Sequence, residues 1–295
     1  MPGTDRRMDK KTLILLFCGL LSATEALRIL VVFPIASKSH NILGQGLAKH
    51  LLEAGHEVVY ITLMPRSNLP PKLKEIDVSS IQHELKQQEI EAFKLKNLIG
   101  KPNIGDSSNF MFFVYDMHRR FLEHENVKRL LSDPTEKFDV VILEWFFSEI
   151  LAGIPALFQC PLIWIGTTEA HGQILRIIDE VSNPAYSADL FSTSTPPYTF
   201  WERGVQLWKA FKRHWTLNFN IIPMETTIYN SVYLPIAAKR GVSIPSYEEA
   251  AYSGSFMFLN SHPSVGTPFR LPQSVKYVGG YHIDREVKPL PKLSS

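Results

Sequence analysis

The feature that most constrains the fold is a strand–helix–strand pattern at residues 28–63. Residues 28–34 (RILVVFP) form an aliphatic, β-branched run, which is typical of a strand buried on both faces. A small polar turn follows at residues 35–40 (IASKSH), and apolar residues then recur at helical spacing over residues 41–54, before Gly55. Residues 56–63 (HEVVYITL) are a second strand in this interpretation. Such a unit predicts a parallel sheet with a right-handed crossover.

The same alternation of strands and helices continues along the chain. The pattern predicts helices at 87–99, 110–131, 146–153 and 200–215, strands at 138–143, 161–166, 256–260 and 275–278, and a long surface loop at 182–199. Gly153 and Pro155 are expected to end or kink the third of these helices. The predicted fold class is therefore α/β, a Rossmann-like parallel sheet with helices on both faces.

The N-terminus resembles a targeting sequence. Residues 6–11 (RRMDKK) are basic, residues 12–21 (TLILLFCGLL) are apolar, and small residues lead to Ala26. This is the layout of a secretory signal peptide, predicted at residues 1–26 with cleavage after Ala26. The apolar run is about half the length that spans a bilayer, and no second apolar run reaches about 18 residues, so no transmembrane helix is expected in this chain.

Composition excludes some classes of function. The chain has 31 Lys and Arg against 29 Asp and Glu, a net charge of +2, and 45% of its residues are hydrophobic. These values are typical of a globular protein and give no electrostatic reason to expect a nucleic-acid partner.

Two titratable residues are expected where ligands bind in parallel sheets, beyond the carboxyl ends of the strands. Ser39 and His40 follow the first strand, and Glu144 follows the strand at 138–143. The positive end of the helix dipole favours a neutral imidazole at His40, which is the form that a general base needs. A carboxylate beside it would orient the ring, and Glu144 is the first candidate, with Glu149 the second.

Structural roles without catalysis are also compatible with these residues. A histidine at a helix start is also compatible with a helix cap or a solvated side chain. The histidines show no metal-ligand spacing, so no metal is expected. Gly44-x-Gly46 lies inside the helical stripe and lacks the third glycine of a dinucleotide site, so it favours close helix–sheet packing.

Three segments together resemble the UDP-glycosyltransferase family, which includes the UDP-glucuronosyltransferases and the insect-type UDP-glucosyltransferases. They are SHNILGQGLAKHLLEAGHEVVYIT (residues 39–62), FDVVILEWF (residues 138–146), and a late group containing LNSHPSV, YVGGYHI and KPLP. The resemblance extends over roughly residues 27–292. It implies the N-terminal domain of a GT-B glycosyltransferase, in which a histidine removes a proton from an acceptor hydroxyl and an acidic residue pairs with that histidine.

Carried over to this sequence, the resemblance makes His40 the base and Glu144 its acidic partner, although the family's usual residue there is Asp. It implies that Ser39, Glu149 and Phe113 belong to the acceptor-binding site. The implied substrates are a small lipophilic acceptor and a UDP-sugar, with no resident cofactor. The expected location is the lumen of the endoplasmic reticulum, with luminal membrane contact through the aromatic segment at 200–215 and a homo- or hetero-oligomeric state left open.

The resemblance also sets the expected domains. Residues 27–285 are expected to form the acceptor-binding domain, and residues 286–295 to begin the interdomain linker. The C-terminal domain that binds the UDP-sugar has no counterpart in the sequence, so the isolated chain is expected to be incomplete and inactive. Two alternatives remain: a non-catalytic acceptor-binding or regulatory module that pairs with a full-length relative, and an unrelated Rossmann-like enzyme, which would need a glycine-rich first turn that IASKSH lacks.

Overall fold

The computed structural model of the chain describes residues 26–84, 107–187, 192, 194–266 and 270–283. The predicted signal peptide, the predicted helix at 87–99 and the predicted linker at 286–295 lie outside these residues, except for Ala26 at the cleavage site.

The described strands form one fully parallel sheet. They are β1 Arg28–Val32, β2 Glu57–Thr62, β3 Leu73–Asp77, β4 Val140–Trp145, β5 Leu162–Gly166, β6 Gly254–Leu259 and β7 Val275–Tyr277. Their order across the sheet is β3-β2-β1-β4-β5-β6-β7. The strand order reverses between β1 and β4, and in open parallel sheets ligands bind at such a switch point. The predicted Rossmann-like α/β class is confirmed.

Helices connect these strands. Within the described residues they are α1 Lys38–Glu53, α2 Ile81–Glu84, α3 Ser107–Glu123, α4 Glu125–Ser132, α5 Gly153–Phe158, α6 Gly172–Ile177, α7 Phe200–Thr216, α8 Ile222–Arg240 and α9 Tyr247–Ala251. A 3₁₀ turn at Ile150–Ala152 precedes α5, and a π-helical segment at Leu217–Ile221 joins α7 to α8. None of these helices is both long enough and apolar enough to cross a membrane.

Successive residues of β1 point to opposite faces of the sheet, and both faces are buried. Ile29 and Val31 pack with α1, whereas Leu30 and Val32 pack into a larger core with α3, α4, α5 and α8. Helices therefore cover both faces, as the continuous apolar character of the strands predicts.

The two glycines of α1 make different close contacts. A side chain at Gly44 would collide with the Tyr60 hydroxyl and would lie 3.0 Å from Cδ2 of Phe33, so the expected close helix–sheet packing is confirmed there. A side chain at Gly46 would lie 2.8 Å from Cα of His282, which belongs to the segment after β7 and not to the sheet.

Two predicted helices differ from the observed ones. The segment predicted as one helix at 110–131 forms two helices, because His124 interrupts it. His124 is the N-cap of α4, and its side chain accepts a hydrogen bond from the backbone N–H of Asn126. The helix predicted at 146–153 is absent, and α5 instead begins at Gly153. Pro155 lies in its first turn, where the missing proline N–H costs no helical hydrogen bond.

Candidate active site

His40 lies in the first turn of α1, just beyond the carboxyl end of β1. The sequence predicts the helix from residue 41, but the helix begins at Lys38, because Ser37 has the extended backbone of an N-cap residue (φ −134°, ψ 138°). His40 is therefore a residue of the helix and not of the preceding turn. Its side chain is only 14% exposed.

Glu144 is the penultimate residue of β4 and does not follow the strand, which continues to Trp145. Alternation along β4 directs it to the same face as Ile142, which is the face covered by α1. Its side chain is fully buried, and Oε1 shares a hydrogen bond with Nδ1 of His40. The pairing of β1 with β4 as parallel neighbours makes this contact possible.

His40 and Glu144 each change the pKa of the other. Burial disfavours the imidazolium, but the charge and hydrogen bond of Glu144 outweigh burial, and the pKa of His40 is raised. The raised pKa favours the imidazolium, whereas the sequence predicts a neutral imidazole at His40. Burial also raises the pKa of Glu144, although His40 opposes that shift. With Nδ1 bonded to Glu144, Nε2 is the nitrogen that can accept a proton from another molecule.

Aromatic rings line one side of His40. The ring of Phe146 meets the imidazole edge-on, with ring centroids 4.8 Å apart. Phe110 of α3 packs edge-on against both Phe146 and Phe147, at 5.7 Å and 4.9 Å between centroids. Phe147 adopts a left-handed backbone conformation (φ 57°), which is uncommon for such a bulky residue and often found at functional sites.

Phe113 and Ser39 take different positions around the pair. Phe113 lies on α3 and packs, partly buried, against a small cluster formed by Ile35 and Met117, to which Phe146 also belongs. Ser39 is exposed, and its hydroxyl shares a 2.8 Å hydrogen bond with the Ser37 hydroxyl. Phe113 thus extends the aromatic side of the site, whereas Ser39 lies at its surface.

Glu149 belongs to a different cluster. It is 2% exposed, and its two oxygens accept hydrogen bonds from Nε1 of Trp145 (2.8 Å) and from Nη2 of Arg176 (2.6 Å). The acidic residue that contacts His40 in this structure is Glu144 and not Glu149, the second candidate from the sequence.

The sequence reasoning missed the residues that anchor the start of α1. Oδ1 of Asn41 accepts hydrogen bonds from the hydroxyls of Thr62 (3.0 Å) and Tyr60 (3.2 Å). These bonds tie the first turn of α1 to β2 and so fix the position of His40. The polar Asn41, directly beside His40 in the sequence, was the signal that could have indicated such an anchor.

Among the described residues, no group of three His, Cys, Asp or Glu side chains is arranged to hold a metal.

Fold and site together define a Rossmann-like α/β protein with a histidine–glutamate pair at the carboxyl edge of its sheet. No family model matches the chain. UDP-glucosyltransferase 2 of Dactylopius coccus is 31% identical over 288 residues, which are 96% of this chain and 53% of that protein. An ecdysteroid UDP-glucosyltransferase of Spodoptera littoralis nuclear polyhedrosis virus is 24% identical over 94% of this chain and 54% of its own length.

These similarities extend over nearly the whole sequence, so the chain is similar to UDP-glucosyltransferases along almost all of its length. It spans about half the length of the curated relatives it matches. Among solved structures, the calicheamicin glycosyltransferase CalG4 aligns with 86% of this chain and 53% of its own, at 15% identity and a TM-score of 0.42.

Proposed function

We propose that residues 27–285 are the acceptor-binding domain of a UDP-glycosyltransferase and that His40 is its general base. The observation that carries this proposal is the hydrogen bond between His40 and the buried Glu144 at the switch point of the sheet. The names of the relatives support UDP-glucose as the donor.

His40 and Glu144 have distinct roles in the proposed reaction. The acceptor hydroxyl gives its proton to Nε2 of His40, its oxygen forms a bond to C1 of the sugar, and the bond from C1 to the diphosphate breaks, which inverts the sugar carbon. Glu144 holds the imidazole by Nδ1 and stabilises the imidazolium that results. UDP leaves with the electron pair of the broken bond.

The aromatic side of the site supports a lipophilic acceptor. Phe110, Phe113 and Phe146 present apolar surface beside the imidazole, and pockets for small lipophilic molecules combine such surface with few polar groups. One viral relative is named for ecdysteroids, so a hydroxylated steroid is the first acceptor to test.

We also propose that the chain enters the lumen of the endoplasmic reticulum through a signal peptide at residues 1–26 and touches the membrane through α7. Large apolar side chains on α7 and the following π-helical segment are more than half exposed: Phe200, Trp201, Val205, Leu207, Trp208, Phe211, Trp215 and Phe219. The same helix carries Lys209, Lys212 and Arg213, and this mixture of aromatic and basic residues suits a lipid interface.

Calorimetric titration of the chain with 4-nitrophenol and with 20-hydroxyecdysone tests the acceptor site. We expect binding of at least one of them, and we expect Phe146→Ala to weaken it by about tenfold or more through the loss of apolar contact. Phe256→Ala is the matched control, because this partly exposed ring lies on β6, away from His40. Absence of binding, or equal affinity in the Phe146→Ala variant, would contradict the proposal.

A further inference from the structure

Two buried polar atoms, one in the His40–Glu144 pair and one on the same side of the sheet, lack hydrogen-bond partners in the described part of the chain. They are Oε2 of Glu144 and the hydroxyl of Tyr281. Buried polar groups in folded proteins nearly always have a partner, because leaving one unpaired is costly. Here the carboxylate oxygen of Glu144 is a hydrogen-bond acceptor, and the hydroxyl of Tyr281 is a hydrogen-bond donor.

Both groups lie on the same face of the sheet. Tyr281 packs against the cluster that contains Tyr60, Ile142 and Ile165, on the α1 side. Glu144 is two residues beyond Ile142 on β4 and so points into the same layer. Burial, and then the negative charge of Glu144, raise the pKa of Tyr281, so the carboxylate lies within electrostatic reach of the tyrosine hydroxyl.

We infer that the Tyr281 hydroxyl is the second hydrogen-bond donor to Glu144 and acts as a positioning residue for His40. The hydroxyl reaches Oε2 through one bridging water molecule, while Oε1 stays with the imidazole. A carboxylate held at both oxygens keeps its charge and its orientation, and that charge sets the basicity of His40. The inference rests on the proposed function of His40 as a base, but its physical content is the coupling of Tyr281 to Glu144.

The chain segment that brings Tyr281 to the site is fixed to α1 itself. Nε2 of His50 donates a hydrogen bond of 2.6 Å to the backbone carbonyl of Tyr281. The lack of a side chain at Gly46 lets the backbone of His282 approach the same helix. Gly280, with φ 81°, turns the chain just before Tyr281. The helix that carries His40 therefore also holds the segment that supplies the proposed donor.

The inference predicts the sign of one measurable change. Tyr281→Phe removes the hydroxyl and keeps the ring, so Glu144 loses a bond that favours its charged form. The carboxylate then ionises less readily, and less negative charge acts on His40. Loss of a hydrogen bond to a charged group typically shifts the pKa of that group by about one unit, and we expect the pKa of His40 to fall by a part of this change at Glu144. Among the described residues, the charge of Glu144 also raises the pKa of Tyr60, and Tyr60 is kept unchanged in this variant.

Histidine NMR on the full chain, titrated over pH, measures this pKa directly. Tyr277→Phe is the matched control, since Tyr277 lies on β7 and packs against the opposite core. The decisive comparison is a Glu144→Gln background, in which Tyr281→Phe should leave the His40 pKa unchanged, because the carboxylate through which it acts is gone.

An unchanged His40 pKa in Tyr281→Phe overturns the inference, and so does an equal fall in the Tyr277→Phe control or in the Glu144→Gln background. These outcomes concern only the coupling of Tyr281 to Glu144. Failure of His40 as the base would appear separately, as unchanged sugar transfer after His40→Ala in a chimera that adds a donor-binding domain to the chain.

Discussion

His40 and Glu144 share a hydrogen bond although 104 positions separate them in the sequence. The contact arises because β1 and β4 are adjacent parallel strands, which places the residues near their carboxyl ends side by side. A buried carboxylate against an imidazole favours the charged ring, and the pKa of His40 is raised as a result. The pair is thus both a product of the strand order and the chemical centre of the proposed site.

Replacing Glu144 by Gln removes this charge while keeping the shape of the side chain. We expect the pKa of His40 to fall, since burial then acts on the imidazolium without a compensating carboxylate. Histidine NMR against pH measures the change. An imidazole that titrates as in the unaltered chain would show that the carboxylate does not control its charge.

Gly44→Ala tests the packing that seats the His40 helix on the sheet. The new methyl group would meet the Tyr60 hydroxyl and Phe33, and we expect a loss of about 1–3 kcal/mol in the free energy of unfolding. Gly204→Ala on α7 is the control, because its methyl group meets no atom within 4 Å and alanine favours a helix. Urea denaturation of both variants gives the comparison. Equal stability changes would contradict the packing argument.

Glu225 predicts how stability depends on pH. Burial, followed by the charge of Glu149, raises the pKa of Glu225 to about 8, and Ser148 and Tyr247 hold its carboxyl group by hydrogen bonds. The folded chain therefore binds a proton that the unfolded chain releases near pH 4.5. Stability from this group is complete below pH 4.5 and is lost as pH rises toward about 8.

Thermal unfolding at several pH values measures this loss. We expect Glu225→Gln, which mimics the protonated acid, to weaken the decline in melting temperature between pH 5 and 8. The exposed Glu248→Gln change serves as the control. A decline of the same steepness in the Glu225→Gln variant would count against a protonated Glu225.

The exposed aromatic residues of α7 predict binding to lipid. Sedimentation with vesicles of mixed neutral and anionic lipid should recover the chain, and the triple change Trp208→Ser, Phe211→Ser and Trp215→Ser should reduce that binding severalfold without lowering stability, because these rings are more than half exposed. Leu234→Ser on α8, at a similarly exposed site, should bind as the unaltered chain does. Equal recovery of the triple variant would exclude α7 as the contact.

The fold was predictable where local pattern and burial agree. The strands β1 and β2 are buried on both faces and read as continuous apolar runs, and α1 shows its buried stripe of Leu43 and Leu47. The edge strand β3, with the sequence LKEID, was missed because only one of its residues is buried. The helix α8 was missed because Pro235 lies inside it and its buried residues include the polar Glu225.

The site was predictable in part for a similar reason. The sequence indicates that His40 and Glu144 each lie near the carboxyl end of a strand, which is the edge of a parallel sheet where ligands bind. The network around Glu149 could not, because it depends on Arg176 of α6, a helix of six residues with too little sequence to show a period. The raised pKa of His40 depends on the balance between burial and its contact with Glu144, which only the packed structure reveals.

The most direct test of the account is sugar transfer by a chimera that joins residues 27–295 to the remaining part of the Dactylopius coccus UDP-glucosyltransferase 2. Turnover of UDP-glucose with a bound acceptor is compared between the unaltered chimera, His40→Ala and the exposed control His83→Ala. We expect His40→Ala to lower turnover by about 10²- to 10⁴-fold while acceptor binding persists, as for the loss of a general base. Turnover in His40→Ala equal to that of the unaltered chimera would contradict it.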